Sequence, residues 1–290
     1  MPFIDIAFQA ELSRYEDADF LEIANFNCNE NLKTRDKAIE ELRTIIKDGD
    51  RKVRRKDDAY LLRYLRARRF QPARAYRLML RYEDFRENNV QLYKGVNPFS
   101  VRSTGGIFEG VVPDSPDNGR ITIMNFGRWD PDSITIEELT QIAVAMNEIC
   151  IMQPKIQVLG GTAIIDLEGL SLRHVRSFTP AMANQMVSLM GAAFPVHVHG
   201  IHVINYSWIL NTALYLFKPF IPAHAWKLVH FHGSNWQQLH EFIKPCYLPR
   251  RYGGNCQYEI TSDLYLEKIN QYKDEFLVEE LRNLGYCVKE

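Results

Sequence analysis

Cysteine, cofactor signatures, long hydrophobic runs and charge of one sign are all scarce in this sequence. The five cysteines among 290 residues, Cys28, Cys150, Cys246, Cys256 and Cys287, form no CxxC and are odd in number. That pattern argues against a Cys-rich zinc site or a disulfide framework and favours a reducing compartment. No GxGxxG follows an apolar run, and GxxxxGK[ST], GxSxG and HExxH do not occur. Dinucleotide, P-loop, hydrolase and zincin chemistry therefore lack their signatures. The most apolar long stretch, residues 201–221, is interrupted by His202, Asn205, Ser207, Asn211, Lys218 and Pro219. A spanning helix needs about 20 mostly apolar residues. The N-terminus has no basic start followed by an apolar run, so no signal peptide is expected. Lys plus Arg (35) nearly equals Asp plus Glu (36), which argues against a polycation for nucleic acid.

With 46% hydrophobic and 24% charged residues, the composition is that of a globular protein of one or two domains. The near-neutral total hides an uneven distribution. Residues 1–30 hold seven acids and one base, residues 51–86 thirteen bases and four acids, and residues 257–290 eight acids and four bases. The basic block reads either as a solvated helical surface paired with the acidic ends, or as a face for anionic lipid, where each basic residue contributes roughly 1 kcal/mol.

The first third reads as helix. Thr34–Lys47 carries apolar residues at helical spacing and ends before Gly49; Asp57 or Asp58 can cap a helix Ala59–Arg69; Pro72 opens another, with Ala75, Leu78, Met79, Tyr82 and Phe85 as its buried stripe. Beyond Tyr93 the pattern changes to β-rich runs at 106–112, 120–126, 162–167, 201–206 and 228–231. The first two flank a turn-rich VPDSPDNG linker and predict a hairpin. Helices are expected between the later runs: one from the capping box at Thr135–Glu138 to about Met152, one from Thr179 to about Phe194, and one from a second capping box at Ser234–Gln237 to Ile243. Alternation of strand and helix implies crossover connections and a parallel core to the sheet. The tail, residues 260–285, again reads as helix.

Candidate chemistry is sparse. Asp166 and Glu168 close the run IIDLEGL, where a carboxylate pair could serve acid–base work or satisfy loop amides. All eight histidines lie between positions 174 and 240. His197-Val-His199 and His230-Phe-His232 each place two imidazoles on one face of a strand, a metal grip if the pairs converge and ordinary strand-edge histidines if they do not. The segment Trp208–Phe217 is apolar nearly all round, and Thr179–Phe194 gathers Met182, Met186, Leu189, Met190 and Phe194 on one face. Both are either core or the lid and wall of a hydrophobic ligand cavity.

Specific strings resemble the CRAL-TRIO family, most closely the branch of the alpha-tocopherol transfer protein and cellular retinaldehyde-binding protein. They are Asp58-Ala-Tyr-Leu-Leu-Arg-Tyr-Leu-Arg-Ala-Arg-Arg-Phe70; Trp129-Asp-Pro131; Ile165-Asp-Leu-Glu-Gly169; Phe194-Pro195 followed by Gly200-Ile-His-Val-Ile-Asn205; Lys218-Pro-Phe220; His230-Phe-His-Gly233; and Leu248-Pro249 with Tyr252-Gly-Gly254. Together they cover residues 55–255.

The resemblance implies an α/β fold: an N-terminal helical bundle (1–95), a lipid-binding domain with a mixed, largely parallel sheet (96–255) and a helical tail (256–290). A gate helix near Tyr206–Phe217 would cover a hydrophobic cavity. It further implies a non-enzymatic cytoplasmic carrier that needs no cofactor or metal. Such a carrier binds one tocopherol-, retinoid- or carotenoid-like molecule and transfers it between membranes. Expected lining residues are Ala143, Asn147, Ile165, Phe178, Met186, Leu189, Met190, Phe194, Val198, Ile201, Ala213, Leu216 and Phe217. Ala143 and Asn147 replace serines near the ligand's polar end. The phosphoinositide cleft of the relatives falls on Arg68, His197, His199, His224 and Leu228. Lys218 and Lys227 are nearby candidates to compensate for the missing charge. Imidazoles titrate near pH 6.5, so phosphoinositide binding is expected to be weakened or acid-dependent. Arg251 stands where the family usually has glutamate before Tyr-Gly-Gly. The alternatives are a phospholipid exchange protein on the same fold, an enzyme using Asp166/Glu168 or a histidine-bound metal, and a lipid-sensing module that recruits a protein.

Overall fold

A computed structural model describes residues 2–13, 16–112, 114–189, 193–208 and 210–288, without the side chains of residues 2, 10, 11, 210, 212, 213 and 224. Five helices lead the chain: α1 (Pro2–Glu11), α2 (Ala18–Cys28), α3 (Leu32–Asp48), α4 (Asp58–Ala67) and α5 (Pro72–Asn88). Their starts follow from short polar side chains that accept the first free amides. Asp17 accepts from Phe20 N–H at 2.7 Å, Asn31 from Lys33 N–H at 2.9 Å, and Asp57 from Tyr60 N–H at 3.1 Å. The Asn31 cap starts α3 two residues before the expected Thr34. Pro72 occupies the first turn of α5, where its missing N–H costs nothing.

The sheet has the order β5-β4-β3-β2-β1-β6. Its strands are β1 (Phe108–Val112), β2 (Arg120–Asn125), β3 (Gly161–Asp166), β4 (Val198–Ile204), β5 (Val229–Gly233) and β6 (Tyr258–Thr261). Strands β2 to β5 are parallel. The hairpin partner β1 and the outer strand β6 are antiparallel. The sheet is thus mixed and largely parallel. β6 was not predicted: a four-residue strand abutting a helix has too few residues to show a period.

Between the strands run α6 (Ile136–Ile151), α7 (Pro154–Leu159), α8 (Leu172–Arg176), α9 (Pro180–Val187), α10 (Leu210–Phe217), α11 (Ala223–Trp226) and α12 (Trp236–His240); α13 (Ser262–Tyr272) and α14 (Glu275–Asn283) follow β6. The capping box of α6 forms as expected. That of α12 does not: Asn235 accepts from Gln238 N–H at 3.1 Å, while the Ser234 hydroxyl turns to Asn205 at 3.4 Å. The α-helical part of α9 ends at Val187, Ser188 and Leu189 continue as π-helix, and residues 190–192 of the expected helix to about Phe194 lie outside the described residues.

Both sheet faces are covered, as a parallel sheet requires. On one side a continuous core reaches from Ile4 and Phe8 through the N-terminal helices and α6 to Tyr286 and Val288. On the other, Ile121, Ile123, Ile164 and Ile204 pack under Leu239, Ile243 and Leu248. The boundaries expected near 95 and 255 are crossed by that first core and by backbone bonds, Cys287 N–H to Val96 O at 2.9 Å and Gly95 N–H to Gly285 O at 3.3 Å. Part of the basic block pairs with the acidic ends, and part with carboxylates elsewhere in the fold. Arg66 meets Glu30 at 2.8 Å and also Glu16, Arg63 meets Glu280 at 2.9 Å with Arg55 on the same carboxylate, and Arg86 meets Glu148 at 2.5 Å. Among the described residues, no helix is long and apolar enough to cross a membrane.

Candidate ligand cavity

A cavity of about 160 Å³ lies between α6 and the face of the sheet formed by β2, β3 and β4. Small side chains make it. Gly161 and Ala163 alternate onto the cavity face of β3, and Ala143 occupies the facing turn of α6, so neither wall fills the gap. Met186 and Leu189 close one side. The lining is mostly apolar, with a few polar groups already engaged. Asn147 Nδ2 donates to Ala143 O at 2.8 Å, and Thr140 Oγ1 to Ile136 O at 2.7 Å. Arg120 is tied to Asp114 through Nε at 3.0 Å and Nη2 at 3.2 Å.

The structure brings five of the expected lining residues to this cavity: Ala143, Asn147, Met186, Leu189 and Val198. Ile165 and Ile201 share the cavity face of the sheet, because Ala163 pairs with Ile201 and Ile165 is two residues along β3. They are not in the lining. Phe194 is placed elsewhere: it is fully buried, with ring contacts to Tyr82 at 5.6 Å and Phe85 at 5.5 Å that seat the chain on α5. Phe178 packs edge-on between Trp129 (5.6 Å) and Phe217 (5.3 Å). Phe217 and Leu216 are half-buried on α10, which rests on α9 and does not border the cavity among the described residues. Met190, and the side chains of Ala213 and His224, lie outside the described residues. The lining residues missed by sequence reasoning include Met146 and Cys150, at helical spacing from Ala143, and Thr122 and Met124, which alternate with core Ile121 and Ile123. Those two periods carried the signal.

The expected anion residues gather only in part. His197 forms part of the cavity rim at the start of β4 and stands edge-to-face with His199 at 4.7 Å. His199 Nε2 bonds Leu159 O at 2.7 Å. Partial burial, then the neighbouring His199, Arg68 and Arg69, lowers the His197 pKa to about 4. Arg68 is pulled down to about 10 by burial and by the charges of Arg81 and Arg74. Lys218 instead lies over the Trp226 ring at 5.6 Å, and Lys227 is exposed beside it.

The other candidate groups have structural roles. Asp166 is buried and accepts from Tyr252 O–H at 2.6 Å, Glu168 N–H at 2.9 Å and Asn205 Nδ2 at 3.0 Å. Three recurrent strings, IDLEG, GIHVIN and YGG, thus meet at one carboxylate. Gly254 is needed there because a Cβ would sit 1.9 Å from Leu248 O. The two HxH pairs do not converge. Strand register sets His202 opposite His230, and His202 Nδ1 bonds His232 Nε2 at 2.9 Å, while His197 and His199 lie at the other end of β4. Arg251 also finds its explanation. Its guanidinium pairs with Glu109 and Glu259 across β1 and β6 and lies over the Tyr252 ring at 4.7 Å.

An apolar cavity against a mixed sheet, its lining mostly hydrocarbon, is the site of a protein that binds lipophilic molecules. The family model and the sequence relatives agree. A model of the CRAL/TRIO domain matches residues 112–254. Over 255 residues the chain is 30% identical to clavesin-1 of Rattus norvegicus, covering 86% of this chain and 72% of that protein. Over 239 residues it is 30% identical to clavesin-2 of Homo sapiens, covering 81% and 73%. A solved structure described as the crystal structure of Sfh5 matches with a TM-score of 0.46 at 12% identity, over 93% of this chain and 98% of that one. The chain belongs to the CRAL-TRIO family, whose members bind and transfer lipids.

Proposed function

We propose that this protein is a non-enzymatic carrier, working in the cytoplasm, that takes one small hydrophobic molecule of the tocopherol, retinoid or carotenoid kind and passes it between membranes. The observation that carries this reading is the cavity between α6 and the sheet, whose lining offers apolar surface and few uncommitted polar groups. Each buried CH₂ contributes about 0.8 kcal/mol, so burial alone holds such a ligand, with no cofactor or metal. Its volume, about 160 Å³, is smaller than the roughly 300–1,000 Å³ of pockets for drug-sized ligands. A long isoprenoid or polyene therefore needs the α9–α10 wall to move outward, which is the gate motion this reading assigns to α10. Trp208 and Tyr215, 70% and 87% exposed on that segment, suit contact with a bilayer interface.

Phosphoinositide binding is weak in this reading. Arg68 keeps its charge, but His197, with its pKa lowered to about 4, is neutral at both pH 7.5 and pH 5.5 in the free protein. Phosphoinositide is expected to add little to vesicle binding at either value, so vesicles carrying it should bind no more tightly than phosphatidylserine vesicles of equal charge; a clear preference for phosphoinositide at pH 7.5 would refute this. The carrier reading itself is tested by native mass spectrometry of the purified protein with organic extraction of what co-purifies. A single isoprenoid or polyene supports it. A phospholipid with an intact headgroup shifts the function to exchange, and bound metal without lipid overturns it.

A further inference from the structure

Helix α2 turns two large apolar side chains to solvent although its inner face is fully satisfied. Ala24 and Cys28 close over Val158 and Leu159, while Ile23 and Phe26, three residues apart on the outer face, are 38% and 81% exposed. Leu32, the first residue of α3, is exposed beside them in the chain.

This apolar pair is anchored next to arginines that have no carboxylate partner among the described residues. Asn27 Nδ2 donates to Val158 O at 3.0 Å, and Arg69 Nη2 donates to Asn29 Oδ1 at 3.1 Å. The end of α2 is thereby tied to the turn between α4 and α5. That turn is strained: Arg69 (φ 51°) and Phe70 (φ 52°) are consecutive non-glycine residues in the left-handed region, a conformation that persists only where the surroundings enforce it. Phe70 packs beneath α2 against the Ala24–Cys28 cluster, while the adjacent Arg69 stays exposed and Arg68 is half-buried. Arg68, Arg69 and Arg74 make no ion pair among the described residues, unlike Arg55, Arg63, Arg66 and Arg86 in the same block. Exposed acids, Asp19 and Glu22, lie toward the N-terminal half of α2. Glu22 stands one turn before Phe26 on the same face, so the contact is confined to the C-terminal end of α2, beside Arg69.

We propose that α2 and the α4–α5 turn form a membrane-docking face, separate from the gate helix. In it Phe26 and Ile23 enter the headgroup region of an anionic bilayer while the exposed Arg69 and Arg74 meet lipid phosphates. A bilayer fits this surface better than a protein does. The apolar area is two side chains on one helix face, with Arg69 bonded to the end of that helix, whereas a stable protein interface buries about 800 Å² per partner. The combination of apolar anchor and basic residues is that of an interfacial helix. The inference does not depend on which molecule the cavity holds.

The test is flotation of the full chain with vesicles of phosphatidylcholine alone and of phosphatidylcholine with phosphatidylserine. The wild type is expected to bind the anionic vesicles preferentially. F26D is expected to lower that binding about tenfold, the loss of one buried aromatic side chain, and R69E/R74E to remove the preference for anionic lipid. Because Phe26 is exposed, thermal unfolding of F26D and its content of extracted ligand stay as in wild type. Unchanged flotation of F26D overturns the proposal, as does wild type that binds neither vesicle. A change in oligomeric state by light scattering with unchanged flotation also overturns it, making the face a protein contact. Loss of flotation in W208D/Y215D alone assigns docking to the gate and likewise refutes it.

Discussion

Glu148 shows how much one side chain on α6 is asked to do. Its carboxylate is fully buried and accepts from Arg86 Nη1 at 2.5 Å and from Tyr82 O–H at 2.8 Å, joining α5 to α6 behind the cavity. Removing one partner of a buried ion pair leaves the other charge uncompensated, at a cost of about 3–5 kcal/mol. Glu148→Ala is therefore expected to lower the unfolding free energy by about that amount in urea denaturation. A change within the scatter of surface substitutions would show that Arg86 finds another acceptor. Ala143 makes the opposite case. Its small side chain leaves space on the cavity wall. Ala143→Leu is expected to occupy part of the cavity and reduce uptake of a fluorescent retinoid at least tenfold with the fold intact. Equal uptake would place the ligand elsewhere.

At the scale of elements, β4 and β5 are held side by side by their histidines as well as by their backbone. The His202 ring stacks on those of His230 (5.2 Å) and His232 (5.1 Å), with Phe242 at 5.2 Å. Burial, then the charges His232 and His230 would carry, lowers the His202 pKa to about 3. The folded protein keeps this imidazole neutral, while the unfolded chain protonates it near pH 6.5. Its contribution is thus present above pH 6.5 and is lost as the pH falls toward about 3. By pH 5.5 the loss is about 1.4 kcal/mol. Urea midpoints at pH 7.5 and 5.5 should differ more in wild type than in His202→Gln; equal differences would exclude this origin. The same two strands bracket residues 205–228, which contain α10. Replacing Trp208 and Tyr215 by serine, at positions that bury little in the folded chain, should slow ligand transfer to acceptor vesicles severalfold while leaving equilibrium binding unchanged. Equal transfer rates would remove α10 from the exchange step.

For the whole molecule, the three expected segments share one core. The C-terminal tail returns to the first helix, where Lys268 pairs with Asp5 at 2.7 Å, Phe8 contacts Tyr265 at 5.7 Å, and Tyr265 in turn reaches Cys150 on the cavity at 3.3 Å. A ligand that binds only this folded body stabilises all of it. At a hundredfold excess over the dissociation constant the gain is about 2.7 kcal/mol. Calorimetry of stripped and reloaded protein should show a single transition that moves upward on loading. Separate transitions for the helical bundle and the sheet domain would contradict the shared core.

The sequence by itself determined what depends on local order. Helix starts at Asp57, Pro72, Thr135 and Thr179 follow from capping chemistry within a few residues. The parallel core of the sheet follows from alternating strands and crossover helices, and family membership was readable from strings spread over residues 55–255. Tertiary structure decided whatever depends on which surfaces meet. It set Phe194 against α5, tied Asp166 to Tyr252 and Asn205, paired Arg251 with glutamates from two strands, and used Arg55, Arg63 and Arg66 of the basic block to bind the acidic ends. It also chose which small residues would face one another across the cavity. Distances along the chain constrain a helix or a turn directly, whereas a cavity is space left between elements whose relative placement only the packed core settles.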